Sequence, residues 1–249
     1  MIEFQTVHKS FSGPDGRTVA AVDGVDLTIE SGETVCLVGP SGCGKTTTLK
    51  LINRLLDPTS GRILLDGNDA ARSDVVQLRR RIGYVIQSGG LFPHMSVAAN
   101  IGLLCELEGW EEERIRARVD ELLTLVNLEA GAMRDRFPTE LSGGQRQRVG
   151  VARALALDPE LVLMDEPFGA LDPITRAQIH DEFERLESLL HKTVVIVTHD
   201  IDEAFRLGDR VALMEGGRIV QVGSEADFRE RPASEFVKRF IQRHLKKSC

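Results

Sequence analysis

Residues 2 to 8 (IEFQTVH) and 22 to 29 (VDGVDLTI) alternate apolar with polar positions, the period of half-buried strands. The turn-rich SGPDG at 12 to 16 separates them, so this part of the chain predicts an antiparallel sheet. From residue 35 the pattern changes to short, almost wholly apolar runs: VCLV at 35 to 38, LVLM at 161 to 164 and VVIV at 194 to 197. Such runs suit a parallel sheet buried on both faces, with helices between its strands. A helical insertion lies between them. In EEERIRARVDELLTLVNL, 111 to 128, Ile115, Val119, Leu122, Leu123 and Val126 keep helical spacing, and acidic residues open the helix where its dipole favours them. Asp172 followed by Pro173 predicts an N-cap and first helical residue, with Ile179, Phe183, Leu186 and Leu190 as the inner face. After VALM at 211 to 214, Gly216-Gly217 turns the chain into RIVQV as a hairpin. Ser224 with Asp227 forms a capping-box pattern opening a C-terminal helical stretch.

Composition narrows the class. With 249 residues, 42% of them hydrophobic, the chain can build one large domain or two small ones around a sizeable core. Lys plus Arg is 31 against 38 for Asp plus Glu, a net charge of -7, which argues against nucleic acid as a partner. No uninterrupted apolar run exceeds four residues, whereas a spanning helix needs about 20. The chain's start has neither a basic n-region nor an apolar h-region, so the expectation is a cytoplasmic chain that crosses no membrane by itself. Cys36, Cys43, Cys105 and Cys249 have no C-x-x-C spacing and are expected as free thiols in a reducing compartment. With aromatics at 5% and 23 Gly, the interior should be aliphatic and glycine should occupy special backbone positions.

Those positions carry the chemistry. Residues 39 to 46 read GPSGCGKT, matching G-x-x-x-x-G-K-[ST] directly after the apolar VCLV and before a helical TTLKLINRLL. Glycines let successive backbone N–H groups turn inward around phosphate oxygens, and the following helix adds the positive end of its dipole. Lys45 would reach the β and γ phosphates, and Thr46 would ligand Mg2+. Cys43 lies among these donors, a setting expected to favour its thiolate and raise its reactivity. In LVLMDE, Asp165 and Glu166 stand at the mouth of a buried strand, the edge where open parallel sheets bind ligands. Acidic residues also end strands for solvation alone. Beside a phosphate loop, Asp165 suits contact with Mg2+ and Glu166 suits a general base that polarises an attacking water.

A second anion-binding geometry follows from LSGGQRQR at 141 to 148, where Ser142 reads as an N-cap and Gly143 and Gly144 leave N–H groups exposed at a helix start. With Gln87 after IGYVI, GALD at 169 to 172 and VTHD at 197 to 200, the sequence closely resembles the ATP-binding cassette (ABC) family over nearly its whole length. The resemblance implies an α/β fold: a P-loop NTPase core with a parallel sheet, an N-terminal antiparallel β subdomain and an inserted α-helical subdomain. It implies a cassette over residues 1 to 223 with the helical subdomain at about 90 to 150, and a C-terminal helical extension over 224 to 249. ATP would be held by Gly39, Pro40, Ser41, Gly42, Cys43, Gly44, Lys45, Thr46 and Thr47, with Phe11 stacking on adenine where relatives usually carry Tyr. A Phe near a strand end is also an ordinary core residue. Gln87 would approach Mg2+, with Thr46 and Asp165, and sense a membrane subunit; His199 would contact the γ phosphate. Two copies would close head to tail, so that Ser142, Gly143, Gly144 and Gln145 of one cover the nucleotide of the other and Asp172 crosses to the partner.

The segment QSGGLFPHMSVAANI, 87 to 101, displays Leu91, Phe92 and Met95 around Pro93; these either pack on the helical insertion or, by the resemblance, receive a short helix of a membrane permease. The wording YVIQ with GLFPHMSV looks most like bacterial importers of quaternary amines such as glycine betaine and choline. The chain would then sit in the cytoplasm, peripheral on the inner face of the cell membrane through the permease, and work indirectly with a solute-binding protein. An uptake system for amino acids or anions uses nearly the same cassette. A soluble ABC protein acting on DNA or ribosomes usually fuses two cassettes or inserts a long coiled coil, and a GTPase would need an N-K-x-D motif that this sequence does not contain. The tail from Val237 carries Lys238, Arg239, Arg243, Lys246 and Lys247, which either complement a helix C-terminus or meet anionic lipid.

Overall fold

The computed structural model describes residues 1–13, 17–87, 90–169, 172, 176–177, 180–185 and 191–245. Along the chain, β1 (Ile2–Ser12), β2 (Thr18–Ile29), β3 (Thr34–Val38), α1 (Lys45–Ile52), β4 (Ser60–Leu65), β5 (Asn68–Asp69) and α2 (Val75–Arg80) come first. Then follow β6 (Ile82–Val85), α3 (Val97–Leu107), α4 (Glu112–Leu125), α5 (Ala130–Met133), α6 (Gly143–Ala154) and β7 (Leu161–Asp165). Last are β8 (Thr193–Val197), α7 (Ile201–Leu207), β9 (Arg210–Glu215), β10 (Arg218–Gly223), α8 (Glu225–Glu230) and α9 (Glu235–Leu245). These divide into two compact units, Met1–Arg79 with Thr193–Cys249, and Arg80–Lys192.

In the first unit an antiparallel sheet runs in the order β2-β1-β4-β5. Its alternation changes phase: Ile2, Phe4 and Val7 are buried rather than every second residue. The cause is an irregularity between Phe4 and Val7, where Thr6 takes φ +44° and donates its N–H to Asp26 Oδ1 at 2.7 Å. The extra residue restores the next apolar side chain to the core face. In the same unit β3 lies between β8 and β9, parallel to both, and β10 pairs antiparallel with β9. Every residue of β3 and β8 is buried, which explains their unbroken apolar runs. The β9–β10 hairpin turns at Gly216 and Gly217 as the sequence predicts.

The expected C-terminal helical stretch consists of two helices. Ser224 and Asp227 form the expected capping box on α8, Arg231 ends that helix just before Pro232, and α9 restarts at Glu235. Val237 and Ile241 bury one side of α9 while Lys238 and Arg239 stay exposed. Lys246 and Lys247 lie outside the described residues.

In the second unit β6 runs parallel to β7, and α3, α4 and α6 pack on one another. The helix expected over 111 to 128 spans Glu112–Leu125 and buries Val119, Leu122 and Leu123. It stops early because Asn127 adopts φ +55°, a left-handed turn that carries Leu128 off the helical path into the core. Arg118 of α4 donates to the carbonyls of Leu155 and Ala156 at 2.8 and 3.1 Å, tying α4 to the end of α6. Of the helix expected after Asp172, residues 180–185 are helical and Phe183 is buried; Pro173, Ile179, Leu186 and Leu190 lie outside the described residues. Among the described residues Cys36, Cys43 and Cys105 are buried and form no disulfide, and Cys249 lies outside the described residues. Among the described residues no helix is long and apolar enough to cross a membrane.

Candidate functional site

The loop from Gly39 to Gly44 connects β3 to α1 and depends on backbone conformations that only glycine adopts cheaply. Gly44 is the N-cap of α1 with φ +108°, and a Cβ there would stand 2.2 Å from the carbonyl oxygen of Ala21. No side chain caps the start of α1, and a helix start following a glycine-rich loop is a setting that suits an anion. The loop is held from behind: Gly217 N–H donates to Cys43 O at 3.0 Å, and Thr48 Oγ1 donates to Gly44 O at 3.0 Å. Pro40, Ser41 and Gly42 are exposed, Gly39, Cys43, Gly44 and Lys45 are buried, and Thr46 and Thr47 are half-buried. Lys45 Nζ donates to Gly39 O at 2.8 Å and Pro40 O at 3.0 Å, so the ammonium is folded over the loop's own carbonyls.

Cys43 departs from the sequence expectation. Burial pushes its thiol above the ordinary value, and Lys45, whose Nζ lies 3.8 Å from Sγ, offsets only part of that effect. The helix start that suggested a reactive thiolate is present; desolvation outweighs it even with the Lys45 ammonium nearby.

His199 follows β8 in the same unit. The β3–β8 register pairs Leu37 with Val197, and Thr198 N–H donates to Leu37 O at 3.1 Å, which brings His199 alongside the start of the phosphate loop. Its backbone is fixed on both sides, because Asp200 caps α7 through bonds from Asp202 and Glu203 N–H, and Asp200 N–H donates to Thr198 Oγ1 at 3.0 Å. Phe11, at the end of β1, is 43% exposed with Lys9 Nζ 5.2 Å from its ring centroid. The ring is therefore available at the surface rather than part of the core.

The second unit holds the other candidates. The register Val85 to Met164 sets the residues that follow β6 beside those that end β7, and Gln87 Nε2 donates to Glu166 Oε2 at 3.2 Å. Glu166 has φ +44°, an unfavourable conformation for a side-chain-bearing residue that its surroundings must impose. Tyr84 is pushed up to about 12, first by burial and then by the charge of Asp165. At the start of α6, Ser142 Oγ accepts from Gln145 N–H at 3.2 Å and Gln145 Oε1 accepts from Ser142 N–H at 2.9 Å, a full capping box. Ser142 and Gly143 are exposed, while Gly144 is buried. Asp172 is exposed, and its carbonyl accepts from Arg176 N–H at 2.9 Å. In the 87 to 101 segment Phe92 is 42% exposed, with Leu91 and Met95 half-buried.

Sequence reasoning did not single out Tyr84, Asn100 or Arg153. Asn100 and Arg153 leave little signal in the sequence because their hydrogen-bond partners are backbone atoms, and the shift at Tyr84 comes chiefly from burial.

The family model described as ABC transporter matches residues 22–169. The chain belongs to the ABC transporter family. This cassette is similar to the glycine betaine/carnitine/choline transport ATP-binding protein OpuCA of Bacillus subtilis, 53% identical over 97% of the chain and 62% of that relative. It is also similar to the glycine betaine uptake system ATP-binding protein YehX of Escherichia coli, 50% identical over 98% of the chain and 77% of the relative. The cassette spans just under two thirds of the length of the first curated relatives it matches. Among solved structures, a dimeric ATP-binding cassette in a post-hydrolysis state bound to ADP and Pi superposes with a TM-score of 0.82 at 34% identity, covering 90% of this chain and 98% of the other. The fold is accordingly that of an ABC ATPase cassette, with mixed antiparallel and parallel sheets.

Proposed function

We propose that this cassette is the ATP-hydrolysing subunit of an ABC importer, taking up quaternary-amine osmoprotectants with integral membrane permease subunits and a solute-binding protein. The observation that carries the ATPase reading is the loop from Gly39 to Thr46: left-handed glycines, the uncapped first turn of α1 and a buried Lys45 form a cradle whose chemistry suits the polyphosphate of ATP. The solute class is supported by the relatives' names and by the likeness of YVIQ with GLFPHMSV to quaternary-amine importers. In this reading the cassette spans residues 1 to 223, is cytoplasmic and peripheral on the inner face of the membrane, and has no nucleic-acid partner.

Thr46, Gln87 and Asp165 offer a hydroxyl, an amide oxygen and a carboxylate, a hard-oxygen set that suits Mg2+. Among the described residues no group of three or more His, Cys, Asp or Glu is placed to hold a metal. When bound, Mg2+ would neutralise charge on the β and γ phosphates.

Lys45 exchanges its bonds to Gly39 and Pro40 carbonyls for phosphate oxygens, and Phe11 stacks on adenine. Glu166 takes a proton from the attacking water, and Gln87, already bonded to Glu166 Oε2, orients that carboxylate. His199 contacts the γ phosphate. In a head-to-tail pair, Ser142, Gly143, Gly144 and Gln145 of one copy cover the nucleotide of the other and Asp172 lines the crossing, so that ATP joins two copies and hydrolysis releases them.

Glu166→Gln tests this. Binding of ATP should persist, turnover should fall by on the order of 10^2 or more, and size-exclusion chromatography with ATP should show a trapped dimer. A monomer with normal hydrolysis refutes the assignment.

A further inference from the structure

In the second unit two side chains from different helices grip the segment that presents Phe92. Asn100, in the first turn of α3, is fully buried and devotes its whole amide to one turn of backbone. Its Oδ1 accepts from Phe92 N–H at 2.8 Å, and its Nδ2 donates to the carbonyls of Phe92, Met95 and Ser96 at 3.1, 3.0 and 3.0 Å. Four bonds to a stretch of five residues make that stretch a rigid body. Arg153 reaches the same segment from the last turn of α6. Its Nη1 donates to Gly90 O at 2.9 Å, and its Cζ stands 5.7 Å from the centroid of the Phe92 ring. Burial lowers the guanidinium's proton affinity from its ordinary value, so the group sits in a medium where its hydrogen bonds are strong.

The other end of α6 is the Ser142–Gln145 capping box. At 1.5 Å per residue, the helix between Ser142 and Arg153 is a rod of roughly 16 Å. A rod transmits a displacement at one end to the other when the attachment at the driven end fixes both distance and direction. A carbonyl bond alone leaves a side chain free to swivel. A planar guanidinium that is also within cation–π reach of an aromatic ring is held in direction as well.

We propose that Arg153 is a positioning residue that couples the 90–96 segment to the capped N-terminus of α6, so that a load on Phe92 resets Ser142 and Gln145. The biological direction of this coupling rests on the proposed permease-facing role of Phe92; the coupling itself is a property of this chain. Packing of α3 on α6 is the competing route, since Asn100 belongs to α3. The two routes differ in whether Arg153 is required.

The experiment is a double-mutant cycle on the full chain, read by hydrogen–deuterium exchange. Asn100→Asp loosens the segment by turning a carboxylate oxygen toward three carbonyls. With Arg153 present, exchange should rise both in residues 91–96 and in the peptide that carries the Gln145 amide, the latter about fivefold. In an Arg153→Lys background the segment should loosen as before while the Gln145 peptide changes less than about twofold. Asn100→Ala, which removes the four bonds without adding a charge and leaves the Phe92 ring in place, serves as a second perturbation if Asn100→Asp does not fold. An equal response of Gln145 in both backgrounds assigns the coupling to α3 packing and overturns the role of Arg153. No response in either background overturns the coupling altogether. Because no permease takes part, failure of the importer reading would show separately, as a wild-type chain that does not co-purify with any permease.

Discussion

Gly42 and Gly44 both take positive φ in the phosphate loop, and comparing them separates two physical costs. At Gly42, with φ +79°, an added Cβ meets nothing within 4 Å. Gly42→Ala therefore carries only the left-handed backbone cost of about 1 kcal/mol. At Gly44 the Cβ would stand 2.2 Å from Ala21 O, an immobile backbone atom, about 1 Å inside the closest comfortable approach of carbon to carbonyl oxygen. Backbone strain and overpacking together should cost about 4 kcal/mol. For a chain of this length about 2–4 °C is lost per kcal/mol, so Gly42→Ala should melt roughly 2–4 °C below wild type and Gly44→Ala roughly 8–16 °C below. If the loop gives way instead of the fold, its N–H cradle moves by about 1 Å, and displacement of that size reduces turnover on the order of a hundredfold. Scanning fluorimetry and ATP-binding isotherms on the three proteins would decide. Gly44→Ala that melts and binds like wild type, or a larger melting loss for Gly42→Ala, would refute the account of how Ala21 backs the loop.

Cys43, buried and with its thiol pushed up, should alkylate slowly at pH 7 with or without Mg-ATP; mass-spectrometric labelling as fast as for an exposed thiol would contradict the burial argument. Tyr84 is the chain's one tyrosine, so its absorbance after a rapid pH jump reports one group; the native midpoint should lie near 12 and fall to 10.0 in urea. Because its folded value is raised, the stability it contributes is complete below pH 10 and is lost as pH rises toward 12, and Asp165→Asn should lower the native midpoint only part of the way since burial is the larger cause. Phe92→Asp should weaken co-purification with permease and shift melting by about 2 °C or less, as for an exposed site; a much larger melting loss would show that the ring packs rather than docks.

What the sequence made legible is local in character. The phosphate loop, the acidic end of β7, the Ser142 and Ser224 caps and the Gly216–Gly217 turn each depend on residue types at fixed short spacing, and the structure forms the loop, caps and turn where the spacing puts them. Readings that needed a tertiary quantity fared differently. The reactivity of Cys43 depends on how much water reaches Sγ, and neighbouring residues in the sequence do not report that. Phe11 stood open between core and surface until the strand end around it was seen to be exposed. The alternation in β1 loses a step at Thr6 because Asp26, on the next strand, captures its N–H.

Asn100 marks the limit of such reading most clearly. Its position in VAAN reads as one polar residue on an otherwise apolar helix, and an exposed asparagine there would be unremarked. Its burial is compensated because four hydrogen bonds to residues 92–96 satisfy the amide, and three of those partners are carbonyl oxygens that any residue could supply. The same holds for Arg153 at Gly90 O and for Lys45 at Gly39 and Pro40 O. Side chains that bear chemistry leave a signature because the chemistry selects residue types at both ends of a contact. Side chains that hold a backbone leave half a signature, since the held end is common to all twenty residues. The parts of this cassette that position Phe92 and Lys45 therefore become visible only when the backbone path is known.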